Sequence, residues 1–447
     1  MSSIPINGTS AESGSVHRRS CNTWTMGSWR TCPILQQPRY EDPSIAESTL
    51  KTISSLPALV HHAEIEELKR QLAQVANGER FILQAGDCAE RFVDCNENSI
   101  TNRLKALVHM SQVLAVGGLP IVVMGRVAGQ YGKPLSTFIE HLPDGQRINR
   151  YRGDIINGFE QKDREYDPAR LLSGYFHSAA TLNYMRALEK NNFREIAAKS
   201  AWNSLARRCE EIKESIPLGH RPQADLFTSH EGLVLDYEEA LTRSVVQDQS
   251  ERFYNVGAHF LWIGKRTRHI NNAHVEYFRG ISNPIGVKID SELSARGLLE
   301  LLDVLDPDKI PGRVTLISRF GYRKVATDLP ERVEAVRRAG RENSVIWCCD
   351  PMHGNTYTTR EGMRTRNFDD VLSELTETLN VLRACGCRLG GIHLESTGED
   401  VTECIGGPQN IDETQLNLRY SSYVDPRLNY VQSLEIVFLF AEQLRNQ

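Results

Sequence analysis

Short, β-branched apolar runs recur along this chain, and the stretches between them place apolar residues at helical spacing. The runs are Phe81–Cys88, Pro120–Arg126, Ala224–Glu231, His259–Arg266, Pro284–Ile289, Arg313–Gly321, Ser344–His353 and Leu389–Glu395. Most lack clean apolar/polar alternation, as expected of strands buried on both faces. Helical periodicity marks Ile100–Val116, Tyr237–Arg252, Ala295–Leu305, Pro330–Arg341 and Asp369–Cys385. Eight strand–helix units in series predict an α/β fold, a TIM (β/α)8 barrel. The spacing is uneven. Residues 127–223 form a large insertion between strands 2 and 3, whose stretches Ala179–Glu189 and Phe193–Ile216 predict a helical pair packed on the barrel.

Ahead of the barrel, residues 1–23 are rich in Ser, Asn and Gly and poor in apolar residues, so they are expected to be disordered. Residues 24–80 form an extension expected to pack on the barrel, which itself occupies 81–447. The stretch Trp24–Tyr40, with two tryptophans and the pair Gln36-Gln37, predicts an ordered, non-repetitive strap. Two helices follow, one opening at Pro43 and one carrying Ile65, Leu68 and Leu72 on a single face.

Composition narrows the class only slightly. The chain has 447 residues, 40% hydrophobic and 24% charged, with a formal net charge of -5. That balance argues against a dedicated nucleic-acid binder. No apolar run is long enough to span a bilayer, and the N-terminus lacks a secretory apolar segment. The ten cysteines are scattered without paired spacing, and Cys88, Cys348 and Cys349 lie inside apolar runs. Buried thiols in a reducing, cytoplasmic compartment are expected rather than a disulfide framework.

The ends of the runs carry the chemistry. They offer Cys88, Arg126, His230 with Glu231, Lys265 with Arg266, Lys288, Arg319, Asp350 with His353, and Glu395. Taken singly, each has an ordinary reading: a core thiol, a turn cap, a solvated rim arginine. Their recurrence at the same place in successive units does not. In barrels of this kind the C-terminal strand ends share one mouth. Cys88, His353 and Glu395 are a mixed ligand set suited to a divalent transition metal. Arg126, Arg266, Lys288 and Arg319 suit phosphate or carboxylate. Metal and cations together point to a phosphorylated anion meeting a carbonyl compound.

Longer motifs carry a family resemblance. The segments QAGDCAERF (84–92), MGRVAGQY (124–131), YRGDIING (151–158), TSHEGLVLDYE (228–238), WIGKRTR (262–268), DPMHGN (350–355), GIHLESTGEDVTECIGG (391–407) and DPRLN (425–429) resemble class II 3-deoxy-D-arabino-heptulosonate 7-phosphate (DAHP) synthases, as does the N-terminal SWR…QQP. The resemblance implies a TIM barrel that condenses phosphoenolpyruvate with erythrose 4-phosphate, the first step of the shikimate route. It implies a divalent metal, manganese above cobalt or iron, held by Cys88, His353, Glu395 and Asp425. Phosphoenolpyruvate would be held by Arg126, Lys288 and Arg319 with help near Lys265, and the aldose phosphate by Ser136 and Arg266. Lys288, Arg126 and His353 would be the catalytic groups. A homo-oligomer acting on small molecules, with no nucleic-acid or membrane partner, is expected.

Several positions depart from the pattern. Lys133-Pro134-Leu135-Ser136 stands where the family usually has Lys-Pro-Arg-Ser, and Lys265 where an acidic residue usually precedes Arg266. Asn271-Asn272 and Asp290-Ser291 replace the usual Asp-Gly and Gly-Pro. The departures gather on the acceptor side. Two alternatives therefore stand beside a DAHP synthase: a divergent relative in specialised metabolism with another acceptor or condensation, and a catalytically weak regulatory paralogue.

Overall fold

The computed structural model describes residues 23–142, 144–190, 226–247 and 249–445. Eight parallel strands close into a barrel in sequence order. They are β1 (Phe81–Gly86), β2 (Ile121–Arg126), β3 (Leu226–Glu231), β4 (Phe260–Ile263), β5 (Ile285–Ile289), β6 (Val314–Ser318), β7 (Val345–Cys349) and β8 (Leu389–Glu395). Closure comes from β1 pairing with both β2 and β8.

Alternate residues of each strand face opposite ways, and the two faces build two cores. The outward set, including Leu83, Val123, Val287 and Leu316, packs under the surrounding helices. The inward set fills the tube with Ile82, Val122, Met124, Phe227, Phe260, Trp262, Ile317, Ile346 and Cys348. Gly286 makes room for the largest of these, since a Cβ there would lie 2.8 Å from Trp262 Cβ.

Helices α1 (Pro43–Ser55) and α2 (His62–Ala76) lie where the apolar spacing predicts them. Helix α1 starts at an Asp42 cap with Pro43 in its first turn, and α2 at a reciprocal His61/Glu64 capping box. Leu68, Leu72 and Val75 of α2 join the inward-facing core of the tube. The tube is therefore plugged at the end remote from the strand C-termini. Residues 23–42 are non-repetitive apart from one 3-10 turn, Ser28–Thr31, anchored where Trp29 Nε1 donates to Glu239 at 2.6 Å.

The expected helix Tyr237–Arg252 is corrected. Only Leu235–Ala240 (α5) is helical, and Thr242–Gln247 and Ser250–Asn255 form an antiparallel hairpin. The stretch TRSVVQ alternates partly buried and exposed residues, which suits a two-stranded ribbon with one wet face. In the insertion, one helix of the expected pair is present and longer than read, α4 (Ala169–Lys190). A small hairpin, Ile139–His141 with Arg147–Asn149, precedes it. The second expected helix, Phe193–Ile216, and the N-terminal segment through residue 22 lie outside the described residues. Between α2 and α4 runs α3 (Glu97–Leu114). Beyond α5 come α6 (Ala273–Phe278), α7 (Ala295–Leu305), α8 (Val325–Arg338), α9 (Phe368–Ala384) and α10 (Tyr430–Arg445). Helices α6 and α10 were not read from the sequence.

Candidate active site

The inward parity that fills the tube continues past its apolar layers into a polar one. Gln84 Nε2 donates to Ser229 Oγ at 2.9 Å, and Gln84 Oε1 lies 2.7 Å from His393 Nδ1. One step further up, the same parity turns Arg126, Glu231, Lys288, Arg319, Asp350 and Glu395 toward the C-terminal mouth. A cavity of about 350 Å³ opens there, lined by Cys88, Arg126, Lys133, Glu231, Trp262, Lys288, Arg319, His353 and Asp425 in its depths. Ser136, Arg150, Lys265, Arg266 and Arg364 also line it. Every residue that the resemblance assigns to metal or substrate lines this cavity except Glu395, which is fully buried beside it.

Cys88, Glu395 and Asp425 present ligand atoms within 4.8 Å of one another. His353 stands next to them, with Nε2 3.1 Å from Glu395 Oε1 and Nδ1 2.7 Å from Asp350 Oδ2. Asp425 comes from the loop after β8. That loop is laced to the strand end: Leu428 N donates to Glu395 O at 3.0 Å and Thr397 N to Leu428 O at 2.9 Å. Arg427, just beyond Asp425, is paired to Asp87 at 2.6 Å and Glu403 at 2.8 Å.

The donor set fits a divalent transition metal: one thiol, one imidazole and two carboxylates. Among these groups sits a positive charge, the Lys133 ammonium, 2.6 Å from Asp425 Oδ2 and 3.9 Å from Glu395 Oε1. Burial pushes the Cys88 thiol far above its ordinary range and Glu395 adds to that, while Lys133 opposes it. Burial also resists ionisation of Glu395, but His353, Lys133, Arg366 and Arg126 overcome it and hold the carboxylate well below its usual range.

The cations differ in what they have left to offer. Arg126 spends its guanidinium on Asp87 O, Cys88 O, His393 and Glu395, and stacks 5.2 Å from the Trp262 ring. It is as much a floor as a ligand. The Lys288 ammonium meets Asp350 Oδ2 at 2.5 Å, and burial pulls it down from the usual lysine range to about 8. Among the described residues Arg319 makes one weak contact, to His353 O at 3.3 Å, and its buried Nε has no partner. Its loop is held by Glu374, which accepts from Phe320 N at 2.8 Å and Gly321 N at 2.9 Å.

Two residues lie otherwise than their position in the sequence suggests. His230 turns out of the cavity and meets Glu238 at 3.0 Å, whereas its neighbour Glu231 faces in. Glu231 Oε1 is buried without a partner among the described residues, and a Cβ on Gly264 would stand 2.0 Å from it, so only glycine fits opposite. Lys265 reaches Asp290 at 2.8 Å and Glu292 at 2.6 Å, so carboxylates already neutralise it. Sequence reading missed Lys133 within the ligand cluster, together with Arg150 and Arg364. Arg150 directly follows the small hairpin after β2, and Arg364 lies in another, Tyr357–Thr358 with Arg364–Thr365, which no strand-end pattern reveals.

Comparison with known proteins gives the family. The profile of the class-II DAHP synthetase family matches residues 24–441. A Neurospora crassa protein named phospho-2-dehydro-3-deoxyheptonate aldolase is 43% identical, the match covering 95% of each chain. A Streptomyces coelicolor protein of the same name is 42% identical over 94% of this chain and 97% of its own. A solved aldolase of that name from Francisella tularensis has a TM-score of 0.45 at 15% identity, covering 92% of this chain and 98% of its own, too slight a likeness to build on. With a family match across almost the whole length and relatives above two-fifths identity, the chain belongs to the class-II DAHP synthetase family.

Proposed function

We propose that this protein is a metal-dependent DAHP synthase, joining phosphoenolpyruvate to erythrose 4-phosphate and releasing inorganic phosphate. The observation that carries this reading is the convergence of Lys288 and Arg319 on one cavity with the Cys88–His353–Glu395–Asp425 cluster. Lys288 and Arg319 hold the phosphate and carboxylate of phosphoenolpyruvate over the Arg126–Trp262 floor, which fixes the direction of its C3 carbon. Cys88, His353, Glu395 and Asp425 would hold a divalent cation, of which Mn2+, Co2+ or Fe2+ suits the mixed donors. Such an ion supplies Lewis-acid polarisation of the aldehyde carbonyl.

The bond made joins C3 of phosphoenolpyruvate to the aldehyde carbon. A water oxygen ends on C2, and the phosphate leaves with the oxygen that bound it there. Glu231, inward-facing with an open carboxylate oxygen, is placed to orient that water. Its buried carboxyl is raised above its ordinary value, against the pull of Lys133 and Lys288, which suits a group that holds and returns a proton.

Incubating metal-loaded protein with both substrates tests the proposal, following phosphate release and product mass. A seven-carbon keto-acid phosphate is expected. Phosphoenolpyruvate binding with no turnover of erythrose 4-phosphate would favour the second reading, a relative with a different acceptor. Leu135 supports that alternative, because it puts an uncharged side chain on the acceptor side of the cavity.

A further inference from the structure

The cations lining the cavity fall into two groups. Lys133 and Arg364 are paired with Asp425, Arg126 with Glu395, Lys288 with Asp350, and Lys265 with Asp290 and Glu292. Arg319, Arg266 and Arg150 have no carboxylate partner among the described residues. Elsewhere on the protein the arginines of a wide surface groove are answered locally, Arg91 by Asp94 at 2.7 Å and Arg419 by Asp400 at 2.5 Å. Unanswered guanidiniums gathered on one cavity are a receptor for an anion that the protein does not itself supply.

Arg319 lies deep, against His353 and close enough to Lys288 to depress its ammonium. Arg266 and Arg150 are exposed, at the outer rim with Ser136. The cavity wall beside Ser136 bears Leu135, whose backbone is clamped on both sides by Gln36, at 2.9 Å through its carbonyl and 3.0 Å through its N–H. The clamp fixes Leu135 in place, and its side chain cannot bring a charge to the rim.

Arg150 can. It directly follows the small hairpin inserted after β2. Its N–H donates to Phe138 O at 2.8 Å, and its carbonyl accepts from Asn157 Nδ2 at 2.9 Å. Its Nη1 donates to Thr137 Oγ1 at 3.0 Å, which braces the guanidinium one residue beyond Ser136. The other guanidinium N–H groups meet no acceptor among the described residues.

We infer that Arg150 is a specificity-determining residue that seats the phosphate of the acceptor at the rim, together with Arg266 and Ser136. A phosphate dianion at that end of a short aldose meets two guanidiniums and a hydroxyl there. The inserted hairpin thus provides the charge that position 135 lacks. This rests on the reading above that the acceptor is a phosphorylated aldehyde.

The test compares manganese-loaded wild type, Arg150→Ala and Arg150→Lys, varying erythrose 4-phosphate, unphosphorylated erythrose and phosphoenolpyruvate in turn. Arg150→Ala is expected to raise KM for erythrose 4-phosphate about tenfold or more, as loss of a charge-assisted contact does. KM for phosphoenolpyruvate and kcat/KM for erythrose should hold, and Arg150→Lys should recover part of the loss. An unchanged KM for erythrose 4-phosphate overturns the inference, as does an equal fall with erythrose, which would mark a structural role. Calorimetric titration of erythrose 4-phosphate separates this outcome from failure of the reaction assigned above. Binding that depends on Arg150 without turnover removes that reaction and keeps the site. No binding by the wild type overturns the site.

Discussion

Lys133 Nζ lies 2.8 Å from Cys88 Sγ, inside the cluster of side chains that would hold a divalent cation. A divalent ion there would compete with the ammonium for the same three groups, Cys88, Glu395 and Asp425. The ammonium neutralises Asp425 and Glu395. Replacing Lys133 with Met leaves two buried carboxylates facing each other, which costs about 3 kcal/mol, the loss expected when one partner of a buried ion pair is removed. Melting in chelator should therefore fall well below wild type, and added Mn2+ should recover most of the difference. Identical melts of variant and wild type in chelator would show that the ammonium compensates nothing.

Asp350 holds His353 by Nδ1 and so leaves Nε2 facing Glu395. Fixing a ligand imidazole in this way is worth about 10–100-fold in metal affinity. Asp350→Asn should weaken Mn2+ binding by that factor in a chelator competition, while Cys88→Ser and His353→Ala should purify without metal. Full metal content in both ligand variants would dismiss the site.

Among the described residues Arg319 has an open, buried Nε and no carboxylate partner. Truncating it to Ala should cost about 1.5–3 kcal/mol of phosphoenolpyruvate binding. Calorimetry reads this directly, and an unchanged affinity would remove Arg319 from the anion site.

Lys288 gives the pH dependence. Its folded value, about 8, lies below that of an unfolded lysine because burial disfavours the charge more than Asp350 restores it. The folded chain therefore pays for a buried ammonium below pH 8, and stability from this group grows as pH rises from there toward about 10.4. A bound anion works in the opposite sense, since it favours the protonated lysine. Below pH 8, phosphoenolpyruvate should bind without proton uptake by Lys288. Above it, binding should take up a proton and weaken by up to about tenfold per pH unit. Calorimetry at pH 9 in buffers of different ionisation enthalpy should show the uptake, and Lys288→Met should abolish it.

Lys265 is predicted to be silent toward the acceptor. Asp290 and Glu292 hold its ammonium, and Asp290 also meets Arg268 at 2.6 Å. Lys265→Ala should leave KM for erythrose 4-phosphate within about twofold of wild type, as removal of a rim ion pair generally does. Lys265→Glu should lower the melting temperature, because it adds a third carboxylate to Asp290 and Glu292. A large rise in KM with Lys265→Ala would return this residue to the acceptor site.

The barrel was legible because strands buried on both faces leave apolar runs, and each run from Phe81 to Glu395 marked a strand to within a few residues at either end. The hairpin Thr242–Asn255 was misread because its charged turn and partly wet face imitate an exposed helix. Helix α10 was missed because Leu434, Val437, Phe438 and Phe440 bury much of its circumference and blur the amphipathic signal. At the site, strand parity alone would have chosen Glu231 over His230. Asp425 could not be found that way, because it arrives on a loop tied to β8 by backbone hydrogen bonds that leave no periodic trace. Lys133 and Arg150 depend on how the insertion folds back over the mouth, which is a matter of tertiary contact.

Because Leu68, Leu72 and Val75 stopper the far end of the barrel, the active-site chamber is a cul-de-sac. Traffic through it is last in, first out. Whatever occupies the deep seat at Lys288 and Arg319 must arrive before the rim at Arg266 and Arg150 is filled, and can depart only once the rim has cleared. A packed tube interior, sealed below by a helix remote from the site, thus predicts ordered addition with the anion of the deep seat first.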